Sequence, residues 1–185
     1  MAFFIASNDV SGMLHTSMTV NSRHLSSHEI AALPAGFTRS FDIEAVEFLD
    51  RAHNPFAKNK ILCRGHKLYW QNFPQDFTQT PLLIQSLLVH ELCHVWQYET
   101  GRLTAVSYLI DPRNWFYNYR VKTGAAFDDY PTEKQADLLQ DWFLINSGRT
   151  PLRFDAKGPK PTQDWLNKIV PFDWSEAASK DISFV

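Results

Sequence analysis

The feature that most constrains the fold is residues 80–101, TPLLIQSLLVHELCHVWQYETG, which the pattern predicts to be one helix. Thr80 is a suitable N-cap, and Pro81 is tolerated at the first helical position because its amide would be unpaired there anyway. Gly101 supplies the left-handed residue that commonly ends a helix. Both flanks are apolar, with Leu83, Ile84, Leu87, Leu88 and Val95 on one and Leu82, Val89, Leu92 and Trp96 on the other. Such a helix belongs in the middle of a domain.

Three ionisable residues interrupt this apolar helix: His90, Glu91 and His94. Burying them without compensation costs several kcal/mol, and a metal ion is the simplest compensation. The two histidines are four residues apart, so their rings project from one face and can converge on one cation at ~2.0–2.1 Å. Glu91 is turned ~100° from His90, which suits a base acting on a water more than a ligand. The alternative is a chance HExxH in an ordinary core helix whose histidines are merely hydrogen-bonded.

A second helix is predicted within residues 130–148, YPTEKQADLLQDWFLINSG. Thr132 and Gln135 have the spacing of a capping box, and Gly148 lies just past the predicted end. The expected apolar stripe comprises Ala136, Leu138, Leu139 and Phe143. This amphipathic pattern predicts a helix that packs against the rest of the domain.

Glu133 and Asp137 stand four apart on one face of that second helix. A carboxylate at Glu133 would complete a His-His-Glu site and leave a fourth metal position to water, which is the catalytic zinc arrangement. Asp137 is placed to accept the outer N–H of a ligating imidazole and so fix its tautomer. Alone, the two residues would be read as a solvated acidic pair; together with the HExxH they favour the metal site.

The motif HELCH followed by ExxxD resembles the gluzincin branch of the zincin metallopeptidases. The wider runs LLVHELCHVWQ and YxxExQAD are more similar to a bacterial zincin-like domain of Vgr-related and Rhs-type proteins, which is associated with type VI secretion. RHLSSHEIAALPAGF and KLYWQNFPQDF also fit, so the resemblance covers residues 22–148. It implies one Zn²⁺ ion held by His90, His94 and Glu133. It also implies Glu91 as the general base and Asp137 as the partner behind a ligating imidazole.

We predict a single α+β domain of the zincin type, with a small β-sheet packed on the active-site helix and on a second metal-ligand helix. At 185 residues and 21.4 kDa the chain is long enough for a substantial core. Residues 1–21 form an N-terminal arm, 22–148 the zincin-like metallopeptidase domain, and 149–185 a C-terminal extension that is packed on the domain or partly mobile.

Short strands are predicted on either side of residues 51–60. Residues 46–50 form a strand by the family resemblance, although Asp42 could instead cap a helix. The run KILCRGHKLYWQ reads as two strands about Arg64 and Gly65. In zincins an edge strand above the active-site helix pairs with the substrate backbone, and the candidate residues are Leu68, Tyr69 and Trp70. An interior strand without a ligand role is an equal alternative.

A peptidase also needs a donor near the developing oxyanion, and a tyrosine hydroxyl would serve. Tyr117, Tyr119 and Tyr130 lie in or beside the aromatic segment 102–129 and are the candidates. The alternative for each is a packed ring with a satisfied hydroxyl.

The two cysteines, Cys63 and Cys93, are too few for a disulfide framework. We expect reduced thiols, with a bridge between them as the alternative.

Charge and hydropathy narrow the possible partners and location. A net charge of −2 gives no electrostatic reason to expect nucleic-acid or anionic-membrane binding. No stretch of 18 residues is apolar, and the N-terminus lacks the features of a Sec leader. We therefore expect a protein that is cytoplasmic as synthesised, with any export by a non-Sec route.

The expected activity is hydrolysis of a peptide or protein substrate by a zinc-activated water, with a secretion-system component as a further partner. Two other interpretations stay open. One is a metal-stabilised structural or interaction module without turnover. The other is a latent peptidase that needs a partner or the removal of a tail.

Overall fold

The structure, a computed structural model, describes residues 21–54, 60–104 and 118–174. These residues form a mixed α+β arrangement. The strands are β1 (Ser22–His24), β2 (Glu47–Leu49), β3 (Leu62–Arg64) and β4 (Lys67–Tyr69). The helices are α1 (Ser27–Ala31), α2 (Ala35–Thr38), α3 (Leu82–Glu99), α4 (Thr132–Asn146) and α5 (Gln163–Ile169). Single 3-10 turns occur at Ile43–Ala45, Phe77–Gln79 and Phe127–Asp129.

The four strands form one sheet in the order β1-β2-β4-β3. The outer pairs are antiparallel, whereas β2 and β4 run parallel. Gly65 has a φ of +59° in the tight connection between β3 and β4, a conformation that glycine adopts without strain. The predicted strand near residues 46–50 and the two strands about Arg64 and Gly65 are therefore confirmed.

The position of β4 corrects the expectation for the substrate strand. β4 lies between β2 and β3, so Leu68 and Tyr69 have hydrogen-bonded strands on both sides. Leu68 is fully buried and Trp70, just past the strand, is buried as well. A strand with both neighbours in place has no open row of amides and carbonyls for a peptide. Within the described residues, the edge strand that packs on α3 is β3.

Helix α3 starts and ends close to the predicted positions. Pro81 rather than Thr80 is the N-cap, because the Thr80 hydroxyl donates to the carbonyl of Phe77 at 2.6 Å. Gly101, with a φ of +73°, follows the last turn as expected. Most of the helix from Gln85 to Gln97 is buried, whereas Leu83 in its first turn is 53% exposed.

Helix α4 packs closely against α3. The predicted capping box at its start is wrong: Pro131 is the N-cap, and the Gln135 side chain donates instead to the carbonyl of Tyr130 at 2.9 Å. Gly148 has a φ of +74° just past the end, as predicted. The apolar stripe is buried, comprising Ala136, Leu138, Leu139 and Phe143.

Residues 149–174 turn back along α4. Tyr119 and Phe154 form an isolated parallel bridge, and α5 packs on α4. Gly36 in α2 meets Asp173 so closely that a Cβ there would lie 2.3 Å from the Asp173 carbonyl oxygen.

The N-terminal arm, apart from residue 21, and the last residues of the extension lie outside the described residues, and the proposed domain division stays a prediction. None of the helices in the described ranges combines the length and the apolar character that a membrane span requires.

Candidate metal centre

Packing of α3 on α4 brings together the three predicted ligands. His90 Nε2 lies 3.6 Å from Glu133 Oε2, and His94 Nε2 lies 3.5 Å from Glu133 Oε1. One potential ligand atom from each residue falls within 4.8 Å of the others, and all three residues are buried. Donors at ~2.0–2.1 Å from one tetrahedral zinc ion would be about 3.3 Å apart. The two His–Glu distances are close to that value, and the chemistry of the donor set, two imidazoles and one carboxylate, fits a zinc ion.

The buried charges at this site shift the pKa values of His94 and Glu133 in opposite directions. Burial acts to lower the pKa of His94, but the Glu133 carboxylate outweighs it and raises that pKa to about 9. Burial acts in the opposite sense on Glu133, and the two imidazoles hold the pKa of its carboxyl well below the usual range. The cluster therefore favours positive charge on the imidazoles next to the buried Glu133 carboxylate. A divalent cation would supply that charge in place of protons.

Behind His90 lies Asp137, as the sequence predicts. Its Oδ1 is 3.5 Å from His90 Nδ1, and the same oxygen accepts from Arg153 Nε at 2.8 Å. Oδ2 accepts from the backbone amide of Asn118 at 3.2 Å. His90 Nδ1 is buried and makes no hydrogen bond within the part of the chain described here. A shift of a few tenths of an ångström would bring it onto Asp137.

Behind His94 lies Gln97, which the sequence analysis did not single out. Its Oε1 is 2.9 Å from His94 Nδ1. Gln97 is three residues after His94, one turn along the same helix face, so the spacing was available as a signal. Each imidazole thus has an oxygen at its outer nitrogen, which is the usual arrangement around metal-ligating histidines.

Glu91 is buried beside this cluster. Burial raises the pKa of its carboxyl, and Glu133 adds to the rise, while the two imidazoles oppose it. No hydrogen bond reaches the carboxylate from the described residues. A buried carboxyl without a structural partner is what a proton-transfer group requires. Burial raises the pKa of the Cys63 thiol on β3, and the negative charge of Glu91 adds to the rise.

The predicted oxyanion donors are engaged elsewhere or lie outside the described residues. The hydroxyl of Tyr119, which is fully buried, donates to Asp141 Oδ2 at 2.9 Å. The hydroxyl of Tyr130 donates to the carbonyl of Arg120 at 2.8 Å. Tyr117 lies outside the described residues. For Tyr119 and Tyr130 the alternative, a packed ring with a satisfied hydroxyl, therefore describes the structure.

Cys63 and Cys93 are free and buried. Burial raises the pKa of each thiol well above its usual value. Both are therefore held as neutral thiols, which agrees with the expectation of reduced cysteines. Cys93 sits inside α3 and is fully buried.

The chain is similar in sequence to a protein of a bacterial secretion system. No protein-family model matches the chain. The type VI secretion system spike protein VgrG2b of Pseudomonas aeruginosa is 30% identical in an alignment of 131 residues, and the match covers 66% of this chain and 13% of VgrG2b. The chain thus corresponds to a small part of that protein's length. The expected similarity to a Vgr-related protein is confirmed.

The similarity extends to three dimensions. The solved effector domain of Pseudomonas aeruginosa VgrG2b matches with a TM-score of 0.58 and 26% sequence identity. The match covers 79% of this chain and 80% of that domain. The chain therefore resembles nearly the whole of one effector domain. That correspondence explains why it spans so little of the full spike protein.

Proposed function

We propose that the chain is a zinc-dependent peptidase with a zincin-like fold that acts as a type VI secretion effector. The observation that carries the proposal is the meeting of His90, His94 and Glu133 beside Glu91, a carboxyl with no other structural task among the described residues. Two imidazoles and one carboxylate leave a fourth position for water, as in catalytic zinc sites.

Each residue at the site would have a distinct role in catalysis. His90, His94 and Glu133 would hold the ion, with Asp137 and Gln97 behind the two imidazoles. A zinc ion bound there would supply a Lewis acid and a water whose pKa is lowered to about 7. Glu91 would take the proton from the attacking water and pass it to the leaving amine. The raised pKa of Glu91 favours this role, because the group must both accept and release a proton near neutral pH.

Strand β3, residues Leu62–Arg64, is the candidate for binding the substrate backbone. It is at the edge of the sheet in the described residues and packs on α3, the helix that carries Glu91. An extended peptide could add to this edge through main-chain hydrogen bonds, which give affinity with little dependence on side chains. We therefore assign to β3 the substrate-binding role that was first predicted for β4.

The secretion part of the proposal rests on similarity. VgrG2b is a spike protein of a type VI secretion system, and the solved structure that this chain resembles is the effector domain of VgrG2b. We propose that this chain, too, is delivered by such a system and meets a component of it before delivery. A peptide or protein in the recipient compartment would then be the substrate.

The decisive experiment combines metal analysis with digestion of an unbiased peptide library by wild type and Glu91→Ala. We expect about one zinc ion per chain in both proteins and cleavage by wild type alone. Asp129→Ala, at a surface position outside the cluster, serves as the control that retains cleavage. Turnover retained by Glu91→Ala would refute the role of Glu91, and a wild type without zinc would refute the metal site.

One observation favours a second candidate, a latent peptidase or a metal-stabilised module without turnover. His90, Glu91, His94 and Glu133 are each only 4–7% exposed, so a substrate has little room to reach them as the chain stands. Zinc binding without cleavage of any library peptide would support this candidate. Cleavage that appears only after partner addition or limited proteolysis would identify the latent form.

A further inference from the structure

We propose that Gln97 is a positioning residue of the metal centre: one buried amide fixes the ring of His94 and ties it to the start of the helix that carries Glu133. The inference rests on the proposed function, because it assigns a task toward the metal. It concerns a residue that contacts neither the substrate nor the ion.

The Gln97 side chain makes three short contacts and is fully buried. Its Nε2 donates to the carbonyl of Thr132 and to Gln135 Oε1, both at 2.9 Å. Its Oε1 lies 2.9 Å from His94 Nδ1. Both amide hydrogens and the amide oxygen are therefore used.

The orientation of this amide is set by the main chain. Gln135 Nε2 donates to the carbonyl of Tyr130 at 2.9 Å, so Gln135 must turn its Oε1 toward Gln97. A flipped Gln97 would face Gln135 Oε1 and the Thr132 carbonyl with an oxygen, which is acceptor against acceptor. Gln97 must therefore present its oxygen to His94.

An amide oxygen only accepts hydrogen bonds, so Nδ1 of His94 carries a hydrogen. In the neutral ring the lone pair then lies on Nε2, the nitrogen that faces Glu133 at 3.5 Å. The hydrogen-bond series from the Tyr130 carbonyl through two glutamines thus selects the tautomer that can bind a metal. His90 has no such neutral amide behind it, because its outer nitrogen faces the Asp137 carboxylate.

The same side chain also sets a distance between helices. Thr132, whose carbonyl accepts from Gln97, precedes Glu133 in the first turn of α4. Gln97 lies one turn after His94 in α3. One side chain therefore links the backbone next to one ligand with the ring of another, which restricts the separation of His94 and Glu133.

The experiment compares three identical substitutions in the full chain. Gln97→Met removes the whole contact set, and Gln135→Met removes one of the two acceptors that orient Gln97. Gln140→Met is the control, because Gln140 is also buried, donates from α4 to Ser86 of α3 at 3.2 Å, and makes no hydrogen bond to either histidine among the described residues. The measurements are zinc affinity by chelator competition, thermal unfolding without zinc, and long-range ¹H–¹⁵N NMR, which reports the protonated nitrogen of each ring.

We expect Gln97→Met to weaken zinc binding by about 10–100-fold, the usual effect of losing a group behind a metal-ligating histidine. Gln135→Met should weaken it less, and Gln140→Met by no more than about threefold. In zinc-loaded wild type His94 should be protonated at Nδ1. A purely structural role would instead lower the unfolding temperature of the Gln97 variant and leave its zinc affinity unchanged.

Zinc affinity of Gln97→Met within threefold of wild type would overturn the proposal, as would protonation of His94 at Nε2 in the zinc-loaded wild type. If Gln97→Met does not fold, the comparison of Gln135→Met with Gln140→Met decides, and equal affinities would count against the proposal. A wild type that binds no zinc is a different result, because it contradicts the proposed metal site itself.

Discussion

Arg153 donates its Nε–H to Oδ1 of Asp137 at 2.8 Å, although the two residues lie in different parts of the chain. Asp137 is fully buried and lies behind His90. The arginine comes from the segment after α4, whose backbone is held by hydrogen bonds to Asp141. The predicted C-terminal extension therefore contributes directly to the surroundings of the metal centre.

Replacing Arg153 should destabilise the zinc-free protein. Arg153→Ala would leave the buried Asp137 carboxylate without its charged partner, and losing one side of a buried pair typically costs 3–5 kcal/mol. Because the arginine side chain is 31% exposed, solvent screening reduces the expected loss in unfolding free energy to about 2–3 kcal/mol. Urea unfolding of wild type and variant measures the difference.

The control is Arg120→Ala. Arg120 donates to Asp155 at 2.7 Å but is 71% exposed. Replacing it should therefore lower the free energy of unfolding by much less than replacing Arg153. Equal unfolding free energies for the Arg153 and Arg120 variants would show that the Asp137 pair contributes no more than a surface contact.

Much of the fold could be predicted because the signals are local. Helices α3 and α4 follow from periodic apolar residues and terminal glycines, and the turn at Gly65 marks the paired strands β3 and β4. The meeting of His90, His94 and Glu133 was also predictable, because the two histidines project from one face of α3 and the second helix carries a carboxylate that can complete the set. Their role as zinc ligands stays a prediction.

Other features could not be predicted because they depend on contacts distant in the sequence. The hydroxyl of Thr80 was free to cap α3, but it bonds to the preceding 3-10 turn instead. Strand order is not encoded in the alternation of KLY, so β4 could have been an edge or an interior strand. Arg153 acquires its role only when the chain folds back onto α4.

Removing His94 should abolish the stabilising effect of zinc. In wild type, zinc at about 1,000 times its dissociation constant should stabilise the fold by about 4 kcal/mol. For a chain of this size that raises the unfolding temperature by roughly 8–16 °C. Differential scanning calorimetry with zinc and with excess chelator measures the shift, which His94→Ala should lose.

His66→Ala is the control for this loss. His66 pairs with Glu99 at 3.0 Å at the surface, outside the cluster, so its variant should keep the full zinc-induced shift. If His94→Ala retains the shift, zinc binds somewhere else.

A substitution at Gly36 tests whether the segment after α5 packs as closely on α2 as the structure shows. A Cβ at this position would lie 2.3 Å from the Asp173 carbonyl oxygen, a backbone atom that cannot move alone. Gly36→Ala should therefore displace residues near Asp173 and destabilise the fold by about 1–3 kcal/mol. At Gly158 a Cβ would meet its nearest atom at 3.5 Å, an ordinary contact. Urea unfolding should accordingly show little change for Gly158→Ala, and equal losses at both sites would contradict the close contact at Gly36.

The buried Asp141 should make stability fall as the pH rises. Burial, followed by nearby Asp137, raises the pKa of its carboxyl to about 6, despite hydrogen bonds from two backbone amides and Tyr119. The same carboxyl has a pKa of about 3.9 in an unfolded chain. Between these values the folded chain holds a proton that the unfolded chain has released, so this contribution is complete below pH ~4 and is lost as the pH rises through 6.

The measurement is urea unfolding of zinc-free wild type and Asp141→Asn from pH 4 to 7. The wild type should lose up to about 3 kcal/mol relative to the variant over this range, since one pKa unit corresponds to 1.36 kcal/mol. Asp155→Asn is the control. A hydrogen bond from the Lys157 amide, together with Arg120, lowers the pKa of the Asp155 carboxyl, so the stability that Asp155 contributes is not lost as the pH rises over this range. A constant difference between wild type and Asp141→Asn would mean that Asp141 is ionised in the fold throughout, stabilised by its three donors.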